Sequence, residues 1–355
     1  ISATSGVRDP AYREAYDRAL ALGERHGEDR QRFAAHWGLW FLDQVGTEDD
    51  AVGRRMERVG EMFAIAHRLH DPDLELEAYH SRWATRFGHG TFAEASADAR
   101  AGIKLYVPER HLHHRFTYGG HDTKVCAHAF WGVCAAIAGD GRESATQLAD
   151  GLAHARRLDD PPALAHGLAF AALGAHFRGD LATCQALGDE AFEAARIQAV
   201  PQFHLTATAI GGWAHYMAGE RTRGLDMIES IHGASQQTST LFSAVIQSLI
   251  ADIETAQGRT LVALQRMQNV GETHSRFYRA EYRRRLGELT LLADPSAHAE
   301  AARHFQSAIE LAHRQEAWTF ELRAAFSLAR LVATDGRAAE AHALLAPVVA
   351  RFDAD

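Results

Sequence analysis

The sequence contains few cysteines, few prolines and no long apolar run, and each shortage excludes a class of protein. Its three cysteines, Cys126, Cys134 and Cys184, are too few for a disulfide scaffold and favour a reducing compartment such as the cytoplasm. Eight prolines among 355 residues exclude collagen-like and proline-rich chains. No stretch approaches the roughly 18 consecutive apolar residues of a membrane-spanning helix. We therefore expect a cytoplasmic protein that does not cross a membrane.

Positive charge is also in short supply. The chain has 37 lysines and arginines against 46 aspartates and glutamates, a formal net charge of −9 when its 22 histidines are neutral. A nonspecific nucleic-acid-binding surface needs an excess of basic groups, so we expect no nucleic-acid partner. The shares of hydrophobic residues (46%) and charged residues (23%) are those of a globular protein.

The dominant feature that the sequence does have is a unit that repeats every 39 or 40 residues. Each unit reads as an alanine-rich helix, a glycine-centred turn and a second helix. Gly179, Gly219 and Gly258 mark consecutive turns, and Gly336 follows two units later. Apolar residues recur at i, i+3, i+4 and i+7 within the helices, and no alternating, strand-like segment of useful length appears. These patterns predict an all-α protein.

A pair of helices of this kind can bury its apolar face only by stacking on its neighbours. We therefore predict a TPR-like α-solenoid, a right-handed superhelix of about eight helix pairs whose first helices line the concave side. The pairs are expected near 32–70, 73–105, 122–158, 161–198, 201–235, 239–273, 277–316 and 318–353. Residues 1–31 are assigned to an N-terminal segment with a leading helix near 10–26, and residues 32–355 to the superhelical array.

One segment, residues 106–122, does not fit the repeat and is called the insert below. The turns on either side of it are about ten residues farther apart than one unit allows. The insert is rich in histidine, with His111, His113, His114 and His121. Because a long excursion from a compact array is more often functional than not, we expect the insert to fold inward over the concave side.

Two motifs in the insert carry a resemblance to a known family, Y-x-P-E-x-H from Tyr106 and Y-G-G-H-D-x-x-V-C from Tyr118. Two later runs add to it, E-Y-R-R-R-L-G-E-L at 281–289 and E-L-R-A-A-F-S-L-A-R-L at 321–331. From about residue 30 onward, the chain resembles the C-terminal TPR-like region of bacterial predicted ATPases. Those regulators typically carry a class III adenylate/guanylate cyclase domain and an AAA/STAND-type ATPase before the helical array.

The resemblance implies a sensing or scaffolding array and not a catalytic domain. The sequence departs from the family at Thr123, where an Asp-Pro pair is usual, and it contains neither a cyclase nor a nucleotide-binding segment. A phosphate-binding loop of the form G-x-x-x-x-G-K-[ST] does not occur. The ATPase and cyclase activities of the family are therefore not carried over to this chain.

Turn alignment and the 3.6-residue period of a helix predict which side chains face the concave groove. The candidate ligand-binding residues are Glu77, His80, His121, Asp122, Cys126, His166, Trp213 and Arg284. Trp213 could stack on a bound peptide or a small ring. Arg284, with Arg323 and Arg330, could form a patch for a carboxylate or an acidic peptide.

The histidines allow a sharper hypothesis, a transition-metal site in the N-terminal half of the groove. His80, His121 and His166 are the candidate metal ligands, with carboxylates beside them. Imidazoles with one or two carboxylates suit Zn, Fe(II) or Cu. The spacing is not itself diagnostic, because neither H-x-H-H nor G-G-H-D is an established metal motif.

A structural interpretation of the same residues stays open beside the metal site. Asp122 is well placed to cap the following helix by accepting backbone N–H groups. His121 would then form a local hydrogen bond, and Gly119 and Gly120 would supply positive φ angles. Scattered histidines such as His154 are expected at the surface or at a helix end, and most aromatic side chains in the core.

The leading functional hypothesis is a non-catalytic sensor or scaffold that binds a peptide, a protein or a small ligand in its concave groove. The alternative is a metal-dependent enzyme, using Fe, Zn or Cu, whose site is formed by the insert and the neighbouring first helices. A third hypothesis is self-association through a terminal helix pair, although the sequence does not determine an oligomeric state.

Overall fold

The computed structural model describes residues 10–45, 51–195, 201–237, 241–271 and 276–352. Within these ranges the backbone forms 18 α-helices and three short 3-10 turns and contains no strand. None of these helices is both long enough and apolar enough to cross a membrane. The prediction of an all-α protein is confirmed.

A leading helix, α1 (Pro10–His26), is followed by eight helix pairs. One short helix, α6 (Pro108–His111), is unpaired and lies between the second and third pairs. The first four pairs are α2 (Asp29–Val45) with α3 (Ala51–Leu69), α4 (Pro72–His89) with α5 (Phe92–Gly102), α7 (Thr123–Ile137) with α8 (Gly141–Leu158), and α9 (Pro161–Arg178) with α10 (Leu181–Ala195). The last four pairs are α11 (Pro201–Met217) with α12 (Arg221–Gln237), α13 (Ser243–Ala256) with α14 (Thr260–Val270), α15 (Arg279–Ala293) with α16 (His298–Arg314), and α17 (Trp318–Thr334) with α18 (Ala338–Val349).

Each helix packs on the next one along the chain, and the first helices of neighbouring pairs also pack on one another. This is the stacking that buries apolar faces in a helical-repeat array. The predicted solenoid of about eight helix pairs is therefore confirmed. The division of the chain at residue 31 stays a prediction, since α1 packs directly on α2.

The helix ends follow from the local sequence. Asp71, Asp122 and Asp160 each precede a helix and accept a hydrogen bond from a backbone N–H of its first turn. Gly90 and Gly179 end helices with φ angles of 90° and 76°, where a side chain would be strained. These caps explain why the pairs begin and end close to the predicted positions.

The insert folds inward, as expected, and it contains more regular structure than a loop. Its residues Pro108–His111 form α6, and Leu112–Phe116 form a 3-10 turn. His111, His114 and Tyr118 are buried, whereas Phe116 is 79% exposed. The insert therefore presents His111, His114 and His121 to the interior of the array, whereas His113 is exposed.

The concave side is partly filled by the chain itself, because the last two helix pairs reach back to the second, third and fourth pairs. The Phe87 and Phe277 rings stack with centroids 4.7 Å apart. The Phe177 and Phe320 rings meet edge to face at 5.2 Å. The hydroxyl of Thr319 on α17 donates a hydrogen bond to the carbonyl of Ala136, on α7, at 2.7 Å. The sequence predicts a concave groove, but in the structure the inner helices contact one another across it.

The crossing of α10 and α11 provides a stability test. A Cβ atom added at Gly211 would lie 2.5 Å from the Cα atom of Gly188, a contact that backbone movement alone can relieve. We expect Gly211→Ala to lower the free energy of unfolding by about 1–3 kcal/mol. Gly233 on α12 is the control, because nothing lies within 4 Å of its added Cβ. Gly233→Ala should be neutral or stabilise by up to about 1 kcal/mol. Urea denaturation measures both, and equal effects would contradict the close crossing.

Candidate functional site

Three consecutive first helices and the insert bring together four of the predicted site residues. His80 lies on α4, His121 on the insert, Cys126 on α7 and His166 on α9, and each is at most 8% exposed. One potential ligand atom from each of His80, His121 and Cys126 lies within 4.8 Å of the other two. The His166 ring stacks on the His121 ring with centroids 4.2 Å apart. These four residues are called the His-Cys cluster below.

Repeat register accounts for most of this arrangement. Cys126 and His166 are 40 residues apart, so they occupy equivalent positions on neighbouring first helices. His80 precedes Cys126 by 46 residues, so the two lie on the first helices of neighbouring pairs but are not at equivalent repeat positions. His121 is positioned by Gly119 and its neighbour in the insert, which have φ angles of 77° and 73°. A turn of this kind is open to glycine and strained for other residues.

The buried carboxylate of Glu77 supports the cluster through its hydrogen bond with His80. It is fully buried, and its Oε2 lies 2.9 Å from Nδ1 of His80. Its Oε1 lies 2.8 Å from Nδ1 of His114 and accepts a hydrogen bond from the Thr123 hydroxyl at 2.9 Å. Because an ionised carboxylate only accepts, both imidazoles donate from Nδ1. One side chain thus ties α4, the insert and α7 together.

The same hydrogen bonds decide which ring nitrogens face the cluster. His80 uses Nδ1 toward Glu77 and so keeps Nε2 for Cys126. His121 donates from Nδ1 to the carbonyl of Gly119 at 2.9 Å, and its buried Nε2 has no hydrogen-bond partner in the described part of the chain. Neither ring nitrogen of His166 has such a partner among the described residues. The cluster therefore gathers the Nε2 atoms of His80 and His121 around the sulfur atom of Cys126.

Burial and charge act in opposite directions on these groups. Burial would raise the pKa of the Cys126 thiol, but the rings of His80, His121 and His166 outweigh it and hold this pKa well below its usual range. Burial would lower the pKa of His80, but Cys126 and Glu77 raise it. Burial, then His121, lowers the pKa of His166 to about 4. The environment thus favours a thiolate at Cys126 and a neutral imidazole at His166.

Aromatic rings enclose the cluster. His80 stacks on Trp83 at 5.2 Å between centroids, and His166 stacks on Phe170 at 4.6 Å. Phe203 meets His166 edge to face at 4.6 Å. Such walls lower the local dielectric constant, which strengthens every electrostatic interaction inside.

Asp122 was predicted both as a site residue and as a helix cap, and the structure gives it the cap. Its Oδ1 accepts from the backbone N–H groups of Lys124 and Val125, each at 3.0 Å. Its Oδ2 accepts from the Tyr106 hydroxyl at 2.7 Å. His154 lies 3.3 Å from Oδ1 and is buried near the C-terminal end of α8, so of the two expected positions, surface or helix end, the surface position is wrong. The capping interpretation and the His-Cys cluster are therefore compatible.

The other two predicted residues, Trp213 and Arg284, lie in a second region on the inner wall of the last four pairs. This inner-wall ionic network is defined by three acids and three arginines, Asp252, Glu281, Glu288, Arg284, Arg285 and Arg323. Trp213 joins it by donating from Nε1 to Asp252 at 3.1 Å. The network is charge-balanced, so the predicted cationic patch is corrected: the arginines already face carboxylates of the chain itself.

Arg323 links the network to the middle of the array. Its guanidinium lies 3.3 Å from Glu281 and donates to the carbonyl of Phe177, at the end of α9, at 2.7 Å. Arg284 lies 2.6 Å from Glu281. Burial would raise the pKa of Glu281, but Arg284 and Arg323 lower it to about 2. Arg330, the third member of the expected patch, is exposed.

Sequence reasoning did not predict the contacts between helix pairs in this network, although the repeat period could have identified them. Trp213 and Asp252 are 39 residues apart, and so are Glu288 and Ser327, whose hydroxyl donates to Glu288 at 2.9 Å. Equivalent positions on neighbouring first helices face each other in a stacked array. Polar residues at that spacing therefore predict contacts between pairs.

No family model matches the chain. It is 25% identical over 344 residues to the uncharacterized protein R02095 of Rhizobium meliloti, a match that covers 94% of this chain and 32% of that protein. The chain thus spans about a third of the length of the curated relative it matches.

The fold is similar to that of a Rap protein whose crystal structure is a complex with competence and sporulation factor. The TM-score is 0.53 at 14% identity, and the match covers 93% of this chain and 96% of the Rap chain. At that identity the likeness establishes the fold alone. It supports the TPR-like helical repeat that the sequence resemblance implies.

The network predicts a pH-dependent stability. Glu281→Gln leaves two arginines short of a counter-charge, and we expect it to lower the free energy of unfolding at pH 7 by on the order of 3 kcal/mol. The pKa of Glu281 in the folded state, about 2, lies below its ordinary 4.5. Its contribution is therefore complete above about pH 4.5 and is lost as the pH falls toward 2. Urea denaturation at several pH values should record a difference that shrinks over that window.

A matched control exists on the last helix, α18. Glu340 forms an ion pair with Arg337 at the same i,i+3 spacing as Glu281 and Arg284, but this pair is exposed. Glu340→Gln should change the free energy of unfolding by less than about 0.5 kcal/mol at every pH. A loss in Glu281→Gln that is independent of pH would contradict the assigned role.

Proposed function

We propose that the chain is a non-catalytic binding scaffold that takes a peptide or a peptide-like segment of a protein on the inner wall of its last four helix pairs. The observation that carries this proposal is the inner-wall ionic network, whose charged side chains are paired with one another but remain partly exposed to solvent. The side chains of Arg323, Asp252 and Arg284 are 27%, 21% and 13% exposed. Because these charges are partly exposed, a charged group on a ligand can reach them and replace an internal partner, provided that it forms an equivalent ion pair.

The chemistry of the wall indicates the class of partner. Arginines recognise carboxylates through paired N–H donors, and the acids opposite them accept from amines and guanidinium groups. Trp213 lies beside Asp252 and is only partly buried, so it adds an apolar surface next to the charges. A short segment with charges of both signs and an apolar side chain matches this wall. A preformed wall also lowers the ordering cost of binding.

The comparisons are consistent with this assignment. The structurally similar Rap protein was crystallised with competence and sporulation factor, and this precedent supports a binding role for the same kind of array. The sequence resemblance supports a place in a larger regulator, after cyclase and ATPase domains. We carry that context as part of the proposal, with a cytoplasmic location that suits three buried, unpaired cysteines.

The alternative of a metal-dependent enzyme has less support from the geometry. His80, Cys126 and His166 are each at most 2% exposed, and aromatic rings cover them. A substrate has to reach the reacting atoms, and burial of this extent favours a role inside the fold over direct contact with substrate.

Selection from a random peptide library tests the proposal. We expect the wild-type chain to enrich a family of related peptides, and Trp213→Ala or Arg323→Ala to weaken their binding at least about tenfold. Fluorescence polarisation with a synthetic peptide of the enriched family measures the affinity, and circular dichroism checks that each variant is folded. The milder Trp213→Phe variant should retain most of the affinity.

Arg303→Ala is the control, because Arg303 is an exposed arginine on the second helix of its pair, away from the network. It should bind as tightly as the wild type. Enrichment of no peptide family, or equal binding by all four variants, would overturn the assignment of this wall as the binding surface.

A further inference from the structure

We propose that the His-Cys cluster is a zinc site in which His80, His121 and Cys126 are ligands and His166 completes a tetrahedral set. It uses other residues than the peptide-binding wall, so each proposal can fail without the other. A thiolate with imidazoles is a ligand set that suits Zn²⁺. The cluster offers that combination in one place, with one ligand atom each from His80, His121 and Cys126 within 4.8 Å of one another.

The distances require only a small contraction. Zn–N bonds of about 2.0–2.1 Å and a Zn–S bond of about 2.3 Å place tetrahedral ligand atoms roughly 3.3–3.6 Å apart. The present separations, which are within 4.8 Å, therefore have to close by at most about 1.5 Å. His121 can supply that movement, because it follows Gly119 and Gly120, whose positive φ angles let the backbone turn there.

The hydrogen bonds behind the cluster are those of metal-binding histidines. Such residues usually donate their second ring N–H to a carboxylate or a backbone carbonyl, which fixes the tautomer and aims the other nitrogen at the metal. His80 does this through Glu77, and His121 through the carbonyl of Gly119. Two histidines of the same cluster thus have one nitrogen fixed from behind and the other directed at Cys126.

His166 provides an independent observation. Its ring is 2% exposed, and neither of its nitrogens has a hydrogen-bond partner within the described ranges. Leaving a buried polar group without a partner costs free energy, so native proteins seldom do so without a reason. His166 stacks on His121 with near-parallel rings, outside the three residues whose ligand atoms already converge, so coordination at the fourth position requires its ring to reorient toward the cluster. Coordination accounts for its otherwise unsatisfied nitrogens.

The ligand set also selects among metals. Calcium and magnesium prefer oxygen ligands, and the nearest carboxylate, Glu77, is already occupied by His80, His114 and Thr123. Iron sites of the facial-triad type need a carboxylate ligand and open positions. The cluster is closed and aromatic-walled, as is typical of structural zinc sites with four protein ligands.

Binding would join four separate elements, namely α4, the insert, α7 and α9. The insert is the only one of these that the helical repeat does not itself fix, and His121 is its contribution. Metal binding would therefore hold the insert against the first helices of the second, third and fourth pairs. Because the ligands converge only in the folded state, the binding free energy adds to the stability of the fold.

Cobalt substitution tests the site on the intact chain, purified without a histidine tag. We expect one equivalent of Co²⁺ to give the visible absorption of four-coordinate cobalt and a near-ultraviolet thiolate-to-cobalt band, both displaced by Zn²⁺. Excess Zn²⁺ should raise the thermal midpoint by about 3 °C or more. Cys126→Ser should abolish the thiolate band, and His166→Ala should alter the visible bands.

Cys134→Ser is the matched control, because Cys134 is a buried cysteine on the same helix and lies outside the cluster. It should bind cobalt with the wild-type spectrum. If the Cys126→Ser variant does not fold, the cobalt spectrum of the wild-type protein still tests whether a thiolate binds the metal. Three results would each overturn the zinc assignment: absence of the thiolate-to-cobalt band, a spectrum of octahedral cobalt, or stoichiometric binding of Cu⁺ that Zn²⁺ cannot displace.

Discussion

Burial of an apolar face that one helix pair cannot cover by itself is the constraint on which this structure depends. Every pair stacks on its neighbours to cover that face, and the stacking places equivalent positions of successive units side by side. Polar residues at those positions then meet inside the array. The contact between Trp213 and Asp252, and the proximity of Cys126 to His166, are consequences of the same repeat. The fold thus brings together residues that are distant in sequence.

Local sequence was enough to predict the array. Turn glycines such as Gly179, capping aspartates such as Asp122 and the apolar period of the helices all act over a few residues, and they are local causes of local structure. The approach of α17 to α7 and α9 could not be predicted in this way. It depends on how small rotations between pairs add up along the whole solenoid, and no single residue specifies that sum.

The two candidate regions were predictable to different degrees. The register placed His80, His121, Cys126 and His166 near one another, because the histidines lie on neighbouring units. What it did not supply was Glu77 as the shared partner of His80 and His114, since the bond to His114 depends on the path of the insert. The charge balance around Arg284 was missed for another reason. Its acidic partners lie on its own helix, so counting arginines alone overstated the positive charge.

The return of the last helix pair to the middle of the array has a consequence for how the chain folds. Hydrogen bonds from Thr319 to Ala136 and from Arg323 to Phe177 connect residues 183 and 146 positions apart. An open array folds through neighbour contacts alone and can lose a terminal unit at modest cost. Here α17 packs on α7 and on the end of α9, which are far from it in sequence. Because these contacts close a long loop, they form late and slow folding. They also make the terminal pair part of one cooperative unit.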